Sequence, residues 1–372
     1  MSVRVPLRER RDVSYDIEIG HGLLGTVPAR LRAAVPADRY AIITDSNVAA
    51  LYGEGLAAAC RDAGLRVELL TFPAGESYKT RDTWAALSDR LLAARVGRDG
   101  VVVALGGGVV GDVAGFVAAT HLRGIPCVQV PTTLLAMIDA SIGGKTGVDT
   151  AAGKNLVGAF HQPRLVVADL DVLGTLPLAH LAAGMAEAIK HGVIADAEYF
   201  ALVERERAAV MARDPGVLER VVTRSVEIKA GVVAADEREA GRRVVLNFGH
   251  TVGHAVEATS RYGVLHGEAV GIGMAVEGRL GEQLQVTESG VASRIECVLE
   301  SYGLPRQPPA ESTVDEFIAL MRHDKKTRAG MVQLALPRAI GRMAGSAAQG
   351  WTIAVAEEVL RGVLGAHPGS SR

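Results

Sequence analysis

Aromatic side chains are scarce in this 372-residue chain, at 4%. Base stacking, the sequence-tolerant way to hold single-stranded nucleic acid, therefore has little to work with. Net charge is nearly absent too: 40 Lys and Arg against 42 Asp and Glu leave −2 at pH 7. With no basic run to offset that balance, a nucleic-acid partner is not expected. Cysteine is rarer still. Cys60, Cys127 and Cys297 lie far apart and make no CxxC pair, which argues against a disulfide framework or a cysteine zinc site and suits a reducing compartment. No run of 18 apolar residues occurs, and the N-terminal MSVRVPLRERRDVSYD carries charge without an apolar core. Neither a membrane span nor a signal peptide is expected, and the cytoplasm is the expected location.

What is present is apolar bulk, 48% of the chain, in more residues than one core usually serves, so two domains sharing a cleft are expected. Tyr40 to Thr44 (YAIIT), Val67 to Phe72, Val101 to Leu105 (VVVAL) and Arg164 to Asp169 (RLVVAD) read as strands separated by helical stretches. That alternation predicts a Rossmann-like, doubly wound parallel sheet, with ligands at the strand C-terminal ends. From about Leu178 the pattern turns helical almost to the end. The expected architecture is an α/β nucleotide-binding domain over 1–177 and an all-α domain over 178–372.

Several strand ends carry polar groups. Asp45 and Asn47 follow YAIIT, where a carboxylate could accept from ribose hydroxyls, although Asp, Ser and Asn are also the preferred N-caps. Glu76 and Lys79 lie in the loop PAGESYKT. VVVAL runs into Gly106, Gly107, Gly108, Val109, Val110, Gly111 and Asp112, a G-x-G-x-x-G between strand and helix whose backbone amides could hold a pyrophosphate. No acid follows about 20 residues on, where a dinucleotide site of the usual kind places its ribose ligand.

The densest stretch runs from Asp139 to Asn155 behind the turn Pro131-Thr132-Thr133, and sets Lys145, Lys154 and Asn155 around Gly143 and Gly144. Lysines beside backbone that a ligand can approach closely suit a phosphate or carboxylate; a solvated glycine loop is the plain alternative. In the helical half, Glu187 and Lys190 fall on one helical face. His250 and His254 follow four apart in LNFGHTVGH, then His266 in VLHGE. A carboxylate with two imidazoles is the protein ligand set of an open catalytic zinc site. Spacing alone does not say which histidine is a ligand and which a base, and His191 and Glu268 compete for the role. A zinc protease is excluded, because H-E-x-x-H needs Glu where Thr251 stands. Lys229, Arg243, Asn247 and Lys325 or Lys326 each fit a solvated face singly; together they favour a pocket for a small polyhydroxylated anion.

GGGVVGDVAGF, PTTLLAMIDASIGGKTGVDTAAGKNLVGAFHQP, GMAEAIKHG, LNFGHTVGHA, LHGEAV and DKKTRAG, in this order, resemble the 3-dehydroquinate synthase family of sugar phosphate cyclases over roughly residues 40 to 345. The resemblance implies an NAD-dependent enzyme that also needs Zn2+ or Co2+ and belongs to the shikimate pathway. It would convert 3-deoxy-D-arabino-heptulosonate 7-phosphate to 3-dehydroquinate and phosphate. Temporary oxidation at C5, phosphate elimination, re-reduction, ring opening and an intramolecular aldol are the implied steps. On matching positions it makes Glu187, His250 and His266 the metal ligands and leaves His254 as a catalytic or substrate-binding histidine. Asp45, Asn47, Glu76, Lys79, Gly107, Gly108, Val109, Asp112, Thr132, Thr133, Lys154 and Thr175 would line the NAD site. Arg123, Asp139, Lys145, Asn155, Lys190, Lys229, Arg243, Asn247 and one of Lys325 and Lys326 would contact substrate, Arg123 reaching across a homodimer interface. Asp149 stands where the family often has Asn. A sister cyclase making an amino-dehydroquinate or inosose-type ring, and a metal-dependent alcohol or glycerol dehydrogenase, stay open as alternatives.

Overall fold

The computed structural model describes residues 12–260, 263–309, 313–323, 327–328 and 331–365. The first eight strands are β1 (Asp16–Gly20), β2 (Tyr40–Asp45), β3 (Val67–Phe72), β4 (Val101–Gly106), β5 (Cys127–Pro131), β6 (Lys145–Thr150), β7 (Gly153–Phe160) and β8 (Leu165–Asp169). Six of them form one parallel sheet in the order β1-β8-β5-β4-β2-β3. Strand β4, VVVALG, is buried along its whole length, because a parallel strand covered on both faces needs an unbroken apolar run. Alternate residues feed different cores: Ala41, Ile43, Val102 and Ala104 pack on one face, Ile42, Val103 and Leu105 on the other. Each such fully buried Val or Leu contributes about 1.5–3 kcal/mol.

The chain leaves β2 for β3 on one side and returns to β4 on the other. The boundary between β2 and β4 is therefore the topological switch point, the crevice where sheets of this kind bind ligands. Asp45 ends one of those strands and Gly106 the other. Helices α1 (Val27–Ala34), α2 (Glu54–Asp62), α3 (Arg81–Ala93) and α4 (Gly108–Thr120) accompany the sheet.

The stretch read as a glycine loop is more ordered than its composition suggests. After a wide, π-helical turn at Ala136–Ala140 it makes the antiparallel hairpin β6–β7, outside the main sheet, with Lys145 opposite Phe160. Glycine and lysine in both strands hide the alternation that would betray it.

The second half is helical, with α5 (Leu178–Ala195), α6 (Pro215–Ala235), α7 (His250–Thr259) and α8 (His266–Gln283) as its principal members. Helix α5 is buried on all sides from Leu181 to Ile194, as expected of a helix apolar all round. Helix α8 lies against its neighbours at backbone distance. A β-carbon at Gly267 would run into the Ala183 carbonyl of α5, and one at Gly273 into the Gly249 carbonyl at the head of α7. Late in the chain short strands appear that the sequence pattern did not announce: Thr327–Arg328, Met331–Leu334 and Ile353–Ala356 in one antiparallel sheet, Pro337–Ala339 and Arg342–Met343 in another. Strands this short carry too little sequence to show a period.

Candidate active site

Glu187 sits in mid-α5, while His250 and His266 open α7 and α8. The Nε2 atoms of His250 and His266 each lie 3.5 Å from Oε1 of Glu187. Their other ring nitrogens face acceptors: Nδ1 of His250 is 3.3 Å from the Phe248 carbonyl, and Nδ1 of His266 is 3.3 Å from Oε1 of Glu257. A carbonyl and a carboxylate only accept, so both Nδ1 atoms donate and both Nε2 atoms turn toward Glu187. Two lone pairs and a carboxylate oxygen facing one another call for a cation between them. Ligands held ~2.0–2.1 Å from one ion at tetrahedral angles stand about 3.4 Å apart, close to the spacing found. Both Glu187 oxygens are buried, Oε2 against the Lys190 ammonium and Oε1 facing the two imidazoles, and this carboxylate with two imidazoles is a donor set that fits a divalent ion of the zinc type.

The electrostatics describe the same slot. Burial opposes charge on Glu187, but the Lys190 ammonium paired with it and the two imidazoles hold its carboxyl well below the usual range. Burial and Lys190 push His250 well below 6.5. Burial also works against His266, yet Glu187 and Glu257 outweigh it and lift the ring to about 10. The frame is fixed by Glu277 of α8, fully buried, whose Oε2 accepts from the Gly249 amide (2.7 Å) and Oε1 from the Val252 amide (3.1 Å). One carboxylate so caps the first turn of α7 and ties it to α8.

A second layer of charge lies beside this cluster. Lys229 of α6 reaches Asp139, Nζ to Oδ1 2.7 Å; burial raises the Asp139 carboxyl, but Lys229 and Lys190 bring it below its ordinary value. Asp139, Glu187 and His191 offer ligand atoms within 4.8 Å of one another. Nδ1 of His191 meets the Ser225 hydroxyl (2.9 Å), which meets the Tyr199 hydroxyl (3.0 Å), which donates to the Val221 carbonyl (3.0 Å). Burial and Lys190 push His191 down to about 3. Lys190 serves the Glu187 common to both groups, and the Lys229 ammonium additionally balances Asp139 here, which makes this second group the poorer home for a cation.

The glycine-lysine stretch meets the helical half here. Arg243, 1% exposed, donates from Nη2 to the Gly143 carbonyl at 3.1 Å. Gly143 has φ +93°, and a β-carbon would collide with the guanidinium, so only glycine serves. Asn247 donates to Oε1 of Glu239 (2.8 Å), and Lys145 pairs with Oε2 of the same residue.

On the sheet side, Gly107 caps α4, and Gly108 and Val109 open it with amides that have no intrahelical partner. Lys79 is buried against Asp112 (2.5 Å) and Asn155 (2.6 Å); burial opposes its charge, but Asp112, Glu76 and Asp149 raise it. Asn155, at φ +54°, is held by its amide on the Asp149 carboxylate (2.9 Å). It therefore stands with Lys79 and Asp112, while Lys145 of the same hairpin stands with Glu239. Asp45 does act as an N-cap, Oδ1 accepting from the Asn47 and Val48 amides. Thr132 is bonded through its amide to the Gly106 carbonyl, and the Thr133 hydroxyl accepts from the Ala136 amide. The Thr175 hydroxyl lies 2.6 Å from that of Tyr52. Lys154 bridges Glu76 (2.7 Å) and Glu257 (2.8 Å). His254 is exposed, its ring 5.4 Å from that of His250. Arg123 is exposed in a left-handed turn at φ 73°. Lys325 and Lys326 lie outside the described residues.

Sequence reasoning missed Glu239, Glu257 and Glu277. Glu257 had a signal, since it follows His250 by seven and His254 by three on one helical face, and Glu277 had one as a carboxylate inside GIGMAVEGRL. Glu239, in an acidic loop, had none.

A family model described as 3-dehydroquinate synthase N-terminal matches residues 69–183, and one described as 3-dehydroquinate synthase C-terminal matches residues 184–327. The 3-dehydroquinate synthase of Symbiobacterium thermophilum is 50% identical over 325 residues, 87% of this chain and 91% of that protein. A 2-epi-5-epi-valiolone synthase from Streptomyces hygroscopicus, solved with NAD+ and Zn2+, is 32% identical with a TM-score of 0.87 over 97% of this chain and 98% of that one. A 2-deoxy-scyllo-inosose synthase solved with carbaglucose-6-phosphate, NAD+ and Co2+ is 28% identical, TM-score 0.86, over 94% and 96%. The chain belongs to the 3-dehydroquinate synthase family.

Proposed function

We propose that the chain converts 3-deoxy-D-arabino-heptulosonate 7-phosphate to 3-dehydroquinate and phosphate, as a carbon–oxygen lyase of the shikimate pathway that uses NAD and Zn2+ or Co2+. The family supports it, and so does the identity to a 3-dehydroquinate synthase, well above that to the two sister cyclases. The observation that carries it is the junction of Lys145 and Asn247 on Glu239, with Arg243 on Gly143, a few residues from His250. A simple alcohol would need no such cationic junction.

In this reading residues 1–177 hold NAD, and 178–372 hold the metal and, with Asp139 and Lys145 of the first half, the substrate. When bound, NAD+ supplies temporary oxidation of a substrate alcohol, and the metal polarises neighbouring substrate oxygens. Glu187, His250 and His266 would hold the ion, and the amides of Gly107, Gly108 and Val109 the pyrophosphate. Lys145 and Arg243 hold the substrate phosphate, Glu239 releasing Lys145 to it. Lys190, Lys229 and Asp139 orient the hydroxyls, and His254 is our candidate for moving a proton at the substrate. Holding the open chain in one folded pose supplies much of the ring closure. A cytoplasmic homodimer completes the proposal. Its support is exposed apolar side chains on one face of β7, Leu156 and Phe160, and Leu122 beside Arg123.

Purified protein with NAD+, Zn2+ and the heptulosonate phosphate is expected to release phosphate and a cyclic product without net NADH. NADH accumulating with glycerol would mean a dehydrogenase, and turnover only with an amino-sugar phosphate a sister cyclase.

A further inference from the structure

Glu257 has no role in the reading above, yet it is 2% exposed and faces the metal-type cluster from α7. Its Oε1 lies 3.3 Å from Nδ1 of His266 and 2.8 Å from Nζ of Lys154, and its Oε2 is buried without a hydrogen-bond partner among the described residues. A buried carboxylate kept in this state serves the groups it touches. We infer that Glu257 is the positioning residue of His266: it holds the hydrogen on Nδ1 and so aims Nε2, unprotonated, at the ion shared with Glu187 and His250. The inference rests on that ligand set.

Lys154 makes the arrangement work. An isolated carboxylate would draw the Nδ1 hydrogen toward itself once a cation sat on the far side of the ring. With the Lys154 ammonium on the same oxygen, and Glu76 holding that ammonium at 2.7 Å from the sheet side, Glu257 is a weaker base and the hydrogen stays on the imidazole. His250 has only the neutral Phe248 carbonyl in the corresponding place. The two imidazoles are therefore unequal ligands, His266 the more electron-rich.

The test uses the full chain stripped of metal and titrated with Co2+ against a chelator, the visible absorption of the bound ion being recorded. Glu257→Gln is expected to bind Co2+ ~10–100-fold more weakly than the parent, with an altered absorption band, and Glu257→Asp to fall between the two. Unchanged affinity and band in Glu257→Gln would overturn the positioning role while leaving the ligand set intact. A parent that binds no Co2+ would overturn the ligand set and the inference with it. Thermal unfolding of the metal-free proteins shows whether Glu257→Gln folds; if it does not, Glu257→Asp decides alone, and parental affinity and band there overturn the role.

Discussion

The two halves build their sites from different materials. At the end of the sheet the groups proposed to hold a ligand are main-chain, the amides that open α4 at the end of β4. In the helical half the proposed groups are side chains, drawn from α5, α6, α7 and α8, with Lys145 of the β6–β7 hairpin reaching over to join them at Glu239. A backbone site tolerates many side chains around it; a side-chain site fails when one member is lost. The contrast teaches where function is brittle, and four experiments can break or sharpen it.

The largest effect is expected from Glu187→Gln. It should abolish metal retention, measured by elemental analysis, and lower turnover by more than the ~100-fold typical of losing an outer partner. Retained metal and activity would remove the cluster from the reaction. Lys145→Ala comes next, with a fall in turnover of about 10²–10³-fold, the usual size for one lost oxyanion donor, and unchanged circular dichroism. Wild-type rates would dismiss the phosphate proposal. Third is pH. Burial opposes charge on His266, but Glu187 and Glu257 lift its ring to about 10, so a metal has to displace a proton there. Proton competition weakens as pH rises toward that value, so Co2+ affinity should climb with pH by up to ~10-fold per unit between 7 and 9. A flat profile would show that no proton leaves. The smallest effect belongs to the backbone site. Gly107→Ala brings a β-carbon to 3.2 Å from the Thr133 methyl, and should raise the NAD+ KM about tenfold, ~1.4 kcal/mol, leaving Co2+ binding unchanged. A larger change there than at Lys145 would invert the contrast.

The same difference governs what could be read from sequence. Buried parallel strands announce themselves as apolar runs, so VVVAL, YAIIT and the helical switch near Leu178 were legible from pattern. Glu187, His250 and His266 are legible as types, but only folding shows that the two imidazoles meet Glu187 on one side and His191 meets it on another, beside Asp139, while Glu268 stays apart. His191 also gives its Nδ1 to Ser225, and Glu268 caps its own helix through the Leu265 amide. Glu239 was invisible because its partners are 94 residues before it and 8 after it, a pairing no local period encodes. The β6–β7 hairpin hid behind its glycines.

The contacts of Gly267 with Ala183 and of Gly273 with Gly249 carry a consequence for ion choice. They make main chain, not side-chain packing, the calipers that set how far apart the heads of α7 and α8 stand from mid-α5. The opening between Glu187 and the two imidazoles then keeps a nearly constant width, and ions sort by radius: those of zinc or cobalt size are expected to seat, and calcium to be refused.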